Sequence, residues 1–135
     1  MKKAFSLIEL IFAILIIGII SSFAIPKFVN SKDTAVATTI KRDIVTATSS
    51  VQAYILTKGD IVSLTDALNI NSSNWKIEDL KATFEDSSTT CVKMEVVKNT
   101  GNITFEIDID ESNSGSICGK LIDDLGVKDI VYDIY

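Results

Sequence analysis

Between residues 5 and 25 the chain carries only four polar side chains, Ser6, Glu9, Ser21 and Ser22, in an otherwise apolar run. At 1.5 Å of rise per residue such a run makes a helix of roughly 30 Å, about one hydrocarbon thickness. It is long enough to span a membrane. Glu9 sits near the head of the run, and a charged side chain at the centre of a membrane helix costs roughly 2.5–3.5 kcal/mol on insertion scales. A buried positive partner is therefore expected for it. An ordinary single-pass anchor accounts for the length but leaves the acid unexplained. A secretory signal, cut after Ser22-Phe23-Ala24 to leave Ile25 first, would have Glu9 interrupting its apolar core.

The residues Lys2-Lys3-Ala4-Phe5-Ser6-Leu7-Ile8-Glu9-Leu10, running into the apolar segment, resemble the type IV prepilin signal shared by type IV pilins and the pseudopilins of type II secretion. The resemblance implies a leader of residues 1–4, removed by prepilin peptidase between Ala4 and Phe5, and methylation of the new amino group of Phe5. Ala4 stands where the family usually has glycine. It also places Glu9 at the family's acidic assembly position, paired with the amino group of Phe5 on an adjacent subunit. The family's partners follow: other pilin-like subunits in a helical filament, an inner-membrane platform protein and an assembly ATPase. The implied location is the bacterial inner membrane, single-pass, with the head outside the cytoplasm, and then a periplasmic or extracellular filament.

The whole chain has 135 residues, 47% of them hydrophobic, which is one small domain beyond the apolar segment. Net charge is −5, and after Trp75 thirteen acidic residues face six lysines. That excess repels a polyanion, so nucleic-acid binding by the head is disfavoured. Cys91 and Cys118 both follow the membrane segment, and an even pair in a small extracytoplasmic domain reads as a disulfide. Two free thiols are the alternative, and a metal site lacks further ligands because the chain has no histidine.

Pro26 follows the apolar run and is expected to kink the helix, because it has no amide hydrogen and crowds the preceding turn. Val36, Ile40, Ile44, Ala47, Val51, Tyr54 and Ile55 recur at steps of three and four, the spacing of one helix face. Gly59 is the stop signal. One long helix is thus expected over residues 5–58, with residues 5–25 as its transmembrane and assembly segment, followed by an extracytoplasmic head over 59–135. In the head a short helix is expected around residues 63–68, while 75–86 is ambiguous between helix and a first strand near 81–85. Val92, Met94 and Val96, then Ile103, Phe105, Ile107 and Ile109, alternate with polar residues across Asn99-Thr100-Gly101-Asn102, the pattern of an antiparallel hairpin. Leu121, Ile122 and Leu125 read as a helical turn, and Ile130, Tyr132 and Ile134 as a last strand. The expected fold is α+β, a long helix packed on a small antiparallel sheet, which is also the pilin layout.

Without histidine, neither a Ser-His-Asp nor a Cys-His arrangement can be built, and no phosphate-cradling glycine loop is present, so no enzyme is expected. Asp108, Asp110, Glu111 and Asn113 supply oxygen types that suit Ca²⁺, and major pseudopilins are known for a calcium site. The run nevertheless lacks the sixth-position glycine and distal glutamate of an EF-hand loop, and a solvated polar edge is the preferred reading. No cofactor is expected. The expected function is a structural filament subunit, pilin or pseudopilin; the alternative is a membrane-anchored or secreted extracytoplasmic binding domain that does not polymerise.

Overall fold

The computed structural model describes residues 4–70 and 72–134. Contacts divide the chain into two units, Met1–Asp33 and Thr34–Tyr135. Helix α1 (Leu7–Lys58) contributes to both. In the first unit it presents large apolar side chains that are between 49% and 79% exposed, from Leu7 through Val29. Pro26 lies inside α1, which continues through it without interruption. Ser22 and Ser31 turn their hydroxyls back onto the carbonyls of Ile19 and Lys27 at 2.9 and 3.0 Å, which satisfies these polar groups within the helix.

In the second unit α1 buries Ala37, Ile40, Ile44, Ala47, Val51 and Ile55, a stripe at steps of three and four. Val36 and Tyr54, expected in that stripe, flank it half-buried. The helix ends where Gly59 adopts φ +84° and donates its amide to Ile55 O at 2.7 Å. A left-handed residue at this position is cheap only for glycine. Helix α2 (Leu64–Ala67) follows, capped by Ser63 and Asp66 in a reciprocal box.

The sheet comprises β1 (Lys76–Glu78), β2 (Lys81–Asp86), β3 (Thr89–Asn99), β4 (Asn102–Ile109) and β5 (Ile130–Asp133). All neighbours are antiparallel, in sequence order. The ambiguity at residues 75–86 resolves as two strands, and the expected hairpin at 99–102 forms, with Gly101 at φ +87°. Alternation puts Ala82, Phe84, Val92, Met94, Val96, Phe105 and Ile107 against the α1 stripe. Trp75 closes one side, 5.9 Å from the Phe84 ring, its indole nitrogen donating to Asp43 Oδ2 of α1 at 2.9 Å. This is the α+β, pilin-like arrangement expected from the sequence.

Between β4 and β5 lies helix α3 (Ser116–Gly119), which continues as a π-turn over Lys120–Asp124. The helical turn expected around Leu121 is this π-turn, where Leu125 N bonds to Lys120 O at 3.0 Å.

Candidate functional site

Two places carry chemistry, the start of α1 and the corner of the head around the disulfide. At the first, α1 begins immediately after Ser6, so Glu9 occupies the third helical position. Its Oε2 accepts from the backbone amide of Ser6 at 3.4 Å, half of a capping box. Glu9 thereby bends back toward Phe5, a residue that is 80% exposed. Ala4 is exposed beside it. The spacing Ser-x-x-Glu could have revealed this cap in the sequence, yet there the acid reads more readily as an isolated charge.

Residues 1–25 match the family described as the prokaryotic N-terminal methylation motif. The chain carries the type IV pilin/pseudopilin signal. Neither a curated protein nor a solved structure matches the chain. This signal belongs to precursors of structural subunits that prepilin peptidase processes. It coincides with a helix long and apolar enough to cross a membrane, none of whose most apolar window is buried.

The second place is built by residues far apart in sequence. Cys91 on β3 and Cys118 on α3 form a disulfide with Cα atoms 5.8 Å apart, closing a loop of 27 residues. Both halves are fully buried. Next to it, Asp86 at the end of β2 accepts from the amides of Ile117 and Cys118 at 2.9 and 3.0 Å. This carboxylate caps α3, whose own N-cap, Gly115, has no side chain to do so. The fit is tight: a Cβ on Gly115 would stand 2.0 Å from Asp86 Oδ2.

Asn113 completes the corner. Its buried amide nitrogen lies within 2.9 to 3.2 Å of Asp86 O, Thr89 O, Thr89 Oγ1 and Thr90 O, while its Oδ1 accepts from Gly115 N at 2.8 Å. These bonds clamp the turn between β2 and β3, where Ser87 and Ser88 adopt φ of 54° and 66°. Such values suit Asn-Gly in a two-residue hairpin turn and cost a serine roughly 1–2 kcal/mol each. The clamp and the disulfide hold that strained turn in place.

The residues considered as calcium ligands are engaged separately. Asp108 pairs with Lys93 at 2.7 Å, Asp110 accepts from the amide and hydroxyl of Ser112 at 2.9 and 2.5 Å, and Asn113 is spent on the clamp. Glu111 is exposed. Among the described residues no three His, Cys, Asp or Glu side chains are grouped so as to hold a metal ion. The bonds from Ser112 hold the Asp110 carboxyl below its ordinary value. On the outer sheet face the carboxylates of Asp108 and Glu95 raise the Lys93 ammonium above its usual range.

Proposed function

We propose that the protein is a structural subunit, stored in a membrane by the apolar part of α1, trimmed between Ala4 and Phe5, methylated on Phe5, and polymerised into a pilus or pseudopilus. The observation that carries this reading is the methylation motif over residues 1–25 lying on a helix start whose apolar side chains have no cover in the monomer. Cleavage after Ala4 creates a cationic amino group at Phe5, four residues from Glu9. In a fibre the apolar helices exchange lipid for one another, and Glu9 of one subunit neutralises the amino group of its neighbour. A paired charge is tolerated in a low-dielectric core, whereas a lone one is not, so the pair sets the register between subunits.

Extraction from the membrane requires work, which a cytoplasmic ATPase acting through a membrane platform protein would supply. The head then lies on the far side of the membrane, a placement that the buried disulfide supports, since such bonds persist in oxidising compartments. Mass spectrometry of the native amino terminus tests the reading. A methylated Phe5 in polymeric material is expected, while an intact Met1 in a permanently monomeric protein, or a free Ile25, would overturn it.

A further inference from the structure

Helix α1 runs through Pro26 without interruption, so the residues after it continue the membrane segment rather than begin a loop. The apolar run over residues 5–25 already matches one hydrocarbon thickness, yet Phe28 and Val29, the next large apolar side chains, are still 75% and 51% exposed. Beyond its hydrocarbon a bilayer has a headgroup layer of roughly 5–7 Å on each side. A helix crosses such a layer in about three to five residues. With residues 5–25 in the hydrocarbon, residues 26–30 therefore fall in that layer.

Lys27 and Lys32 flank Phe28 and Val29 in the chain, and both are exposed. Residues three and four positions apart are neighbours on a helix surface, and at those positions neither lysine meets an acid. Asp33, the one acid between Glu9 and Asp43, is half-buried and directly follows Lys32, and consecutive side chains on a helix do not face each other. The two lysines themselves stand about 140° apart around the axis, at 3.6 residues per turn. Going round the helix the order is Lys27, Phe28, Lys32, Val29, so basic and apolar side chains alternate as a collar instead of occupying separate faces.

We propose that this collar binds anionic phospholipid, with the ammonium groups of Lys27 and Lys32 on headgroup phosphates and with Phe28 and Val29 among the glycerol and upper acyl groups. A lysine beside a negatively charged lipid surface gains an attraction that falls off within a Debye length, and the apolar neighbours hold these two within that distance. The chain after Trp75 does not compete for the same lipid, since thirteen acidic residues there face six lysines. The inference rests on the membrane storage proposed above. It adds the class of lipid bound and the level at which α1 leaves the bilayer, neither of which the methylation motif specifies.

Lipid-borne quenchers test the collar in the full chain. Trp75 is buried, so the unsubstituted chain gives the baseline against which the fluorescence of Phe28→Trp reads residue 28. In phosphatidylcholine vesicles, a minor share of brominated phosphatidylglycerol is expected to quench the new tryptophan at least about twofold more than the same share of brominated phosphatidylcholine. Adding Lys27→Gln and Lys32→Gln removes this preference, whereas Lys27→Arg and Lys32→Arg keep it, and high salt weakens it. Equal quenching by the two lipids, or a preference that survives both glutamine substitutions, overturns the assignment to anionic lipid. A tryptophan that neither lipid quenches, in a chain that floats with the vesicles, overturns the collar and leaves membrane storage standing. A chain that does not float with vesicles removes both.

Discussion

The two units of this protein share one helix yet solve the problem of apolar surface in opposite ways. Between Leu7 and Val29 the large apolar side chains point outward all round the helix, whereas from Ala37 to Ile55 they are gathered into one stripe and buried under a sheet. The first arrangement is stable only in lipid or against other helices, and the second is stable in water. A single α-helix can therefore be both a membrane segment and the backbone of a soluble head, because its pattern of side chains, not its geometry, selects the solvent.

Substitutions that act on one unit and spare the other sharpen this contrast. The largest effect is expected at Glu9. Glu9→Gln keeps a side chain able to reach the Ser6 amide but removes the charge, so membrane insertion and head stability persist while assembly falls by more than about a hundredfold, the scale of breaking a buried ion pair. Filament counts by electron microscopy check this, and wild-type yield would reduce Glu9 to a helix cap. In the head, replacing Cys91 and Cys118 together by alanine is expected to cost about 3–4 kcal/mol, from the 27-residue loop it opens, and to leave Phe5 processing unchanged. Thermal denaturation of the extracted protein, with mass spectrometry of its amino terminus, measures both.

Gly115→Ala should follow, at about 2 kcal/mol, because the new methyl displaces the Asp86 carboxylate from the α3 amides. An unchanged midpoint would mean that Asp86 does not hold α3. A smaller shift, in the opposite direction, is expected at the strained turn: Ser88→Gly should stabilise by about 1 kcal/mol, because glycine accepts φ 66° without penalty. The midpoint would rise by roughly 4–8 °C for a domain of this size.

The weakest expected effect is that of pH. Lys98 and the Ile61 amide lower the Asp60 carboxyl in the folded head, as Ser112 does for Asp110, so both stabilise at neutral pH and lose that contribution as acid protonates them. Lys93 has the opposite sign: its raised value gives stability that is present through neutral pH and lost only in strong alkali. All three side chains are largely solvated, so only a slight drop in midpoint is expected below about pH 4. A steep loss between pH 5 and 8 would require a titrating group outside this set.

Much of the head was legible because its signals are local. The stripe from Ile40 to Ile55, the stop at Gly59 and the hairpin at 99–102 each follow from spacing over a few residues, and all three are found. Residues 75–86 were ambiguous because Ile77, Leu80 and Phe84 fit a helical period, and only pairing of β2 with β3 selects strand there. Asn113 illustrates the limit more sharply. In the chain it sits in an acidic run and resembles a calcium ligand, whereas in the fold its amide joins backbone groups 23 to 27 residues away.

The apolar segment, the signal around Phe5 and Glu9 and the amphipathic stripe are all readable from the order of residues alone. Each depends on composition or on short periods, which a chain displays before it folds. Folding alone establishes that Cys91 and Cys118 are joined rather than free, that Asp86 caps α3 beside Gly115 and that Asn113 clamps the Ser87-Ser88 turn. Those features exist where the sheet brings distant backbone groups within hydrogen-bonding distance, and long-range closure of that kind leaves no periodic trace in the residues that perform it.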